Sequence, residues 1–298
     1  VIADQSDAGL GSQNQEGGAM LLSRTYRPSA DLAPYIRRFY VFEAPLPDGA
    51  VIEDFLLAET AFVRCLLRGD WAAQTHGDEW NTAGNVVFFG ANSRPLRVRV
   101  KGGFAVTGFA IRPSGWNALF AESHDSLSNQ MLPLQQLWGE LAETLYAGVA
   151  AAVDDAGQLA AMEAALRERI ALMRSPDADL QMARFEVIAR TDSTMRVEDA
   201  ATEIGLSVRQ LERRCLATFG LTPKAILRRS RFLDTATALR GFSSSSEREL
   251  DALRYFDQSH MSKEFKLFTG MTPRTFANAV TPLQTAGLKL REEGRFED

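Results

Sequence analysis

Sliding the chain along itself by 50 residues lays FGLTPKAIL (219–227) on TGMTPRTFA (269–277) without a gap. Gly220 meets Gly270, and Thr222, Pro223 and Lys224 meet Thr272, Pro273 and Arg274. Upstream, Leu211, Arg213 and Cys215 meet Met261, Lys263 and Phe265. A period of this length marks one supersecondary unit used twice. The C-terminal third is therefore expected to fold as two similar units.

The first copy shows what the unit is. Residues 197–204 (VEDAATEI) carry alanines and apolar residues at helical spacing, and Gly205 offers the positive φ that ends a helix. Ser207 can cap the next helix, and Gln210 three residues on completes a capping box. Steps of 100° put Arg209, Glu212, Arg213 and Leu216 on one side of that helix, with Leu211, Cys215 and Thr218 on the other. In the second copy Asp257 can cap. Met261, Phe265 and Phe268 make the apolar stripe, and Ser259, Ser262, Lys263 and Lys266 lie opposite. A single polar helix face is ordinarily solvated surface. Two of them, each on a capped second helix, suit a protein that reads successive major-groove segments roughly 34 Å apart. Residues 226–239 (ILRRSRFLDTATAL) read as the helix that would hold this spacing, with Arg228, Arg229 and Arg231 as phosphate ligands.

The net charge of −5 hides an uneven distribution. Residues 1–183 hold 14 Lys+Arg against 22 Asp+Glu, a balance of −8. Residues 184–282 hold 16 against 12, a balance of +4, so the cationic segment coincides with the repeat.

The stretch AATEIGLSVRQLERRCLATFGLTPKAILRRSRF, followed by FDQSHMSKEFKLFTGMTPRTF, resembles the AraC/XylS family of bacterial transcription regulators over roughly residues 180–280. The resemblance implies two helix-turn-helix subdomains joined by a helix, bound to double-stranded DNA. By position in the motif it places base reading on Arg209, Glu212 and Arg213 in the first unit, and on Gln258, Ser259, Ser262 and Lys263 in the second. Arginine can pair with guanine, glutamate can accept from cytosine and glutamine can pair with adenine. Phosphate contacts are expected from Ser207, Arg214, Lys224, Arg228, Arg229, Arg231, Lys266 and Arg274. The second unit departs from the family in its turn, where Arg254, Tyr255 and Phe256 replace the usual glycine, and its start is blurred by serines 243–246.

From about residue 22 to 111 the chain changes to short β-type runs, FVRCLLRG, NVVFFG, LRVRV and FAVTGFAI. These resemble, in order and pattern, the β-rich sensor domains that precede the DNA-binding part in many AraC/XylS proteins, with AIRPSGWNALF as the exit from sheet to helix. Phe62, Trp71, Trp80, Phe88, Phe89 and Phe109 are candidate linings for a cavity that holds a small apolar or aromatic effector, against the plainer reading that they fill the core. Residues 134–149 and 158–173 show the apolar spacing of a helical hairpin. In it Leu159, Met162, Leu166, Ile170 and Met173 form a stripe for packing inside the chain or for pairing two protomers.

The expected architecture is thus an α+β multidomain chain. An N-terminal antiparallel β sandwich or half-barrel with following helices precedes a C-terminal all-α domain of two helix-turn-helix units. The boundaries are a flexible leader (1–21), a β-rich sensor or dimerisation domain (22–118), a helical hairpin and linker (119–176), a DNA-binding domain (177–282, with units at about 195–220 and 246–270) and a tail (283–298). Three histidines (His76, His124, His260) and two cysteines (Cys65, Cys215) exclude a histidine-rich metal site and a disulfide framework. No cofactor and no catalytic residue is expected, since P-loop, G-x-G-x-x-G and G-x-S-x-G patterns are absent. With no apolar run of spanning length and no hydrophobic leader, the expected location is cytoplasmic, without membrane. RNA polymerase and a second copy of the chain stay open as partners. Two other readings stay open as well: a small-molecule-binding or enzymatic β domain with a secondary helix-turn-helix module, and a protein-interaction module.

Overall fold

Apolar side chains alternating with a period of two build an antiparallel sheet with an apolar surface on each side. In the computed structural model, which describes residues 22–57, 60–75, 77–174, 177–242 and 258–293, the strands are β1 (Leu22–Tyr26), β2 (Ile36–Ala44), β3 (Val51–Leu56), β4 (Phe62–Gln74), β5 (Val86–Phe89), β6 (Leu96–Ile111) and β7 (Met131–Pro133). They run in the order β1-β2-β6-β4-β5-β7, with β3 also on β6. The runs LRVRV and FAVTGFAI, expected as separate strands, are one strand of 16 residues. Its first half pairs with β3, from Leu56↔Leu96 to Val51↔Lys101, and its second half with β2, from Ala44↔Phe104 to Ile36↔Ile111. β4 follows β6 along both halves, with register shifts between Leu66 and Asp70.

Each face of the sheet has its own core. Phe39, Val63, Cys65, Phe88 and Phe109 point to one side and pack with Trp116, Trp138 and two long helices. Phe42, Trp71, Phe89, Val98, Val100, Phe104 and Val106 point to the other. Full burial of each such side chain contributes roughly 1.5–3 kcal/mol, and burial also pushes the Cys65 thiol up to about 12, which makes it an unreactive core residue.

The sheet exits through a 3-10 turn (Pro113–Gly115) into the short helices α1 (Trp116–Leu119), α2 (His124–Leu127) and α3 (Gln135–Trp138), then α4 (Glu140–Ala151) and α5 (Asp155–Leu172). Met162 and Leu166 of the α5 stripe are buried in the sheet's first core, with Leu159 and Ile170 packed at its edge. The stripe is thus used inside the chain.

The C-terminal half contains α6 (Leu180–Thr191), α7 (Val197–Glu203), α8 (Val208–Phe219), α9 (Pro223–Leu239), α10 (Gln258–Thr269), α11 (Pro273–Asn278) and α12 (Pro282–Glu293). It has two cores that share one helix. Ile226 and Leu227 of α9 join Phe185, Leu211, Cys215 and Phe219, whereas Phe232, Leu233 and Ala236 join Phe265, Phe268 and Phe276. A continuous helix belonging to both cores fixes their separation.

Residues 283–298, read from sequence as a tail, include most of an ordered helix. Leu283 of α12 enters the β domain's second core, and Leu288 enters the core around Phe265. The first backbone N–H groups of α12 find their acceptor on β3, where buried Asp54 Oδ2 receives Leu283 N at 2.8 Å and Gln284 N at 3.1 Å. Near its other end, Arg291 pairs with Asp234 of α9 at 2.8 Å. Among the described residues, no helix is long and apolar enough to cross a membrane.

Candidate nucleic-acid interface

The repeat in sequence is a repeat in geometry. Gly220 and Gly270 end α8 and α10 with φ of +66° and +73°, a left-handed conformation that glycine adopts at little cost. Two residues on, Thr222 and Thr272 cap the next helices, accepting from Ala225 N at 3.3 Å and Thr275 N at 3.2 Å. Pro223 and Pro273 follow in the first helical turn.

In the first unit, α7 and α8 are joined by a turn through Gly205, and the capping box forms in full. Ser207 Oγ accepts from Gln210 N at 3.3 Å, and Gln210 Oε1 accepts from Ser207 N at 2.9 Å. Leu211, Cys215, Thr218 and Phe219 are buried. Arg209, Glu212 and Arg213 are exposed on the opposite face, without a hydrogen bond or ion pair to any described residue. In the second unit Ser259 and Lys263 are exposed and Ser262 is half-buried, while Phe265 and Phe268 turn inward. Gln258 begins α10, but its side chain lies outside the described residues. So do the proposed cap Asp257, serines 243–246 and the unusual turn at Arg254, Tyr255 and Phe256.

The expected phosphate ligands divide sharply. Lys224, Lys266 and Arg274 are exposed with no side-chain partner among the described residues. Ser207 is exposed but committed to its cap. Arg214 turns back to Asp179, with Nε 3.1 Å from Oδ2, and also donates to Gln181. Arg228 donates to Glu264 at 2.6 Å, and Arg231 approaches the same carboxylate at 3.9 Å. Arg229 is only 6% exposed and lines a cavity between the two halves of the chain, so it is corrected from an outward phosphate ligand to an internal charge. The acidic partners Asp179, Glu186 and Glu264 went unnoticed in the sequence. Each is distant in the chain from the arginine it holds, so helical periodicity carries no signal for them.

The first unit is docked on the β domain. His124 of α2 lies against Gly220, where a Cβ would stand 2.5 Å from His124 Nδ1 and 2.1 Å from Ser128 Oγ. Burial lowers the His124 pKa to about 3, so the ring is neutral, and it packs on Trp116 with centroids 4.0 Å apart. Glu186 of α6 joins the ends of the sheet, bonded to Arg37 and 3.7 Å from Arg112.

The six aromatics proposed to line one cavity are distributed over three places. Phe62 and Trp71 line a cavity of about 100 Å³ on the second face of the sheet, together with Tyr40, Phe42 and Phe104. Phe89 backs them, stacked on Phe62 at 4.5 Å. Phe88 and Phe109 face the opposite core, because neighbours in a strand point to opposite sides and Phe109 pairs with Val63 of that core. Trp80 stands outside the strands beneath Arg97 and Arg99. The α12 residues Leu283, Gln284, Ala286 and Gly287 close the cavity. Inside its wall, Gln284 Oε1 and Nε2, Trp71 Nε1 and Arg64 Nε are buried without a hydrogen-bond partner among the described residues. The Arg64 guanidinium lies 4.5 Å from the Trp71 ring. Among the described residues, no group of three or more His, Cys, Asp or Glu side chains is placed to hold a metal.

Comparison with known proteins finds two family models. Residues 200–279 match a helix-turn-helix domain, and residues 24–133 match a domain of unknown function, DUF6597. No curated protein matches the chain. Among solved structures the chain is similar to ToxT from Vibrio cholerae, with 11% identity and a TM-score of 0.45 over 80% of this chain and 97% of that one. An unsaturated fatty acid bound form of ToxT gives 14% identity and a TM-score of 0.44 over 82% and 96%. The AraC-like transcriptional activator CuxR gives 13% and 0.30 over 73% and 81%. Likenesses at this level transfer no residue roles.

Proposed function

We propose that the helix-turn-helix domain matched over residues 200–279 is of the AraC type, and that the protein is a sequence-specific transcription regulator that reads duplex DNA chiefly with α8. The carrying observation is selective exposure. In a domain where Arg214, Arg228, Arg229 and Arg291 are drawn into internal pairs or burial, Arg209, Glu212 and Arg213 are left solvated, with no partner among the described residues, on one face of a fully capped helix. A side chain used only for solubility needs no such fixed helix, whereas base readout needs donors held in place. Lys224, Lys266 and Arg274 supply phosphate contacts. Ser259, Ser262 and Lys263, with Gln258, read or dock a second groove segment.

The β domain acts as a sensor. Its aromatic cavity, with an unsatisfied glutamine amide and indole N–H in the wall, suits a small molecule with an apolar body and one hydrogen-bonding group. Since α12 both closes that cavity and pairs with α9, an effector that favours one position of α12 shifts the DNA-binding half by differential affinity.

The test is binding of the full chain to DNA upstream of its own gene and to a scrambled duplex across salt concentrations. We expect preference for one upstream segment, with affinity falling as salt rises. Equal binding to both duplexes at low salt would overturn the reading.

A further inference from the structure

One residue on the outward face of α8 carries no polar group. Arg209, Glu212, Arg213 and Leu216 are all exposed and follow the i, i+3, i+4, i+7 spacing of a single helical face. Steps of 100° bring Leu216 back to within about 20° of Arg209, so it stands near the middle of that face and not at its margin. Leu216 is 41% exposed and joins none of the hydrophobic cores.

Single exposed apolar residues are ordinary on protein surfaces. Most of those in this chain sit where order gives way to loop. Val51, Leu172 and Leu180 are the first or last residues of their elements, and Val153 and Val280 lie in loops. Among the described residues, only Leu216 and Leu267 are large apolar side chains exposed inside an element, and the elements are the two repeated helices, α8 and α10. Of the two, Leu216 has the central position.

The major-groove edges of the base pairs present hydrogen-bond donors and acceptors, with one apolar substituent, the C5-methyl group of thymine. An apolar side chain at the centre of a reading face is matched to that group. Reach follows from helix geometry. Leu216 lies three residues beyond Arg213, about 4.5 Å along the axis, and successive base pairs are about 3.4 Å apart. A base pair read by Arg213 therefore has its near neighbour under Leu216. The capping box at Ser207 and the left-handed Gly220 fix α8 at both ends, so the leucine is in place before DNA arrives.

We propose that Leu216 is a specificity-determining residue of the interface, packing against the C5-methyl group of a thymine in the groove segment that α8 reads. This rests on the DNA-reading role proposed above. It adds an apolar contact to the polar ones of Arg209, Glu212 and Arg213, and it acts at one or two thymines instead of on all sequences alike.

The experiment uses the full chain and the upstream duplex that the wild type prefers, with each thymine replaced in turn by uracil. Uracil lacks the methyl group and keeps the base pairing and the O4 acceptor. Fluorescence anisotropy measures the affinities of the wild type, Leu216→Ala and Leu216→Met, and circular dichroism checks that both variants are folded. At one or two positions uracil should weaken the wild type about threefold to fivefold, the worth of one buried methyl group. Leu216→Ala should be indifferent to uracil at those positions, and Leu216→Met, which keeps an apolar tip, should stay sensitive. A wild type indifferent to uracil at every thymine would overturn the proposal. So would a folded Leu216→Ala that loses as much to uracil as the wild type does, since another residue would then read the methyl group. In both cases the wild type still prefers the upstream duplex to the scrambled one, and the DNA-reading role stands. Absence of that preference would overturn the two together.

Discussion

The two helix-turn-helix units follow one sequence plan but are anchored differently. The first stands on the β domain, with Gly220 pressed on His124 and Ser128, and with Glu186 and Arg37 paired across the junction. The second is held by a buried charge, Glu264, clasped by Arg228 of the linking helix, and by α12 packed into its core. Reading faces can thus be duplicated while the surroundings assign each copy its own mechanical neighbour. The sheet meets the first unit at this junction, and it meets the second through Leu57, which follows β3 and enters the core around Phe265.

The largest test of this contrast is Glu264→Ala. Glu264 is fully buried, and removing it leaves Arg228 and Arg231 without the carboxylate they share; we expect a loss of about 3–5 kcal/mol. Chemical denaturation followed by fluorescence should show it. The melting of the β domain should move less than that of the C-terminal half.

Next comes a matched pair of glycines. At Gly270 nothing stands within 4 Å of an added Cβ, so Gly270→Ala should cost only the left-handed strain, about 1–2 kcal/mol. Gly220→Ala carries the same strain plus the collision with His124 and Ser128, and should cost roughly 1–3 kcal/mol more. Equal melting of the two variants would remove the claim that the glycine of the first unit is pressed on His124 and Ser128 while that of the second is not.

On DNA, Arg213→Ala should lower discrimination between the preferred duplex and single-base variants by about 1–3 kcal/mol. Lys266→Ala in the second unit should instead weaken all sequences alike and reduce the salt slope by about one unit. Fluorescence anisotropy at several salt concentrations separates the two. A uniform loss from Arg213→Ala would move it from base reading to the phosphate contacts.

The smallest effect is in pH. His124 titrates at about 3 in the folded chain and near 6.5 unfolded, so the unfolded state takes up more protons as pH falls through 6.5. Stability is therefore full above 6.5 and declines below it, by about 1 kcal/mol at pH 6. Asp54 works in the opposite sense. Burial raises its folded pKa to about 6, against the pull of its backbone hydrogen bonds, so its share of stability is lost as pH rises through that value. Comparing melting of the wild type and His124→Asn between pH 8 and 6 isolates the histidine, and a variant that loses as much stability as the wild type would exclude it.

The local parts of this arrangement were legible in sequence. Ser207 and Gln210, the glycine of each unit and the apolar stripe of α8 depend on neighbours three or four residues away, and spacing records them. Parity could also have separated Phe88 from Phe89, since adjacent residues in a strand cannot share a face; grouping aromatics by type overlooked that signal. The inward turn of Arg214 and Arg229 was not legible. An arginine on a basic helix has the same helical address whether its partner is a DNA phosphate or a carboxylate 35 residues away, and Asp179 decides between them for Arg214. The role of α12 was hidden for a similar reason, because its acceptor, Asp54, lies in another domain.

That last bond spans 229 residues of chain and therefore has a timetable. At ordinary translation speeds, the ribosome needs on the order of ten to fifty seconds to pass from Asp54 to Leu283. Throughout that interval the nascent β domain carries a carboxylate with no helix to cap and an apolar face without the leucine that covers it. The β domain is thus completed by a helix synthesised 229 residues after the strand that anchors it.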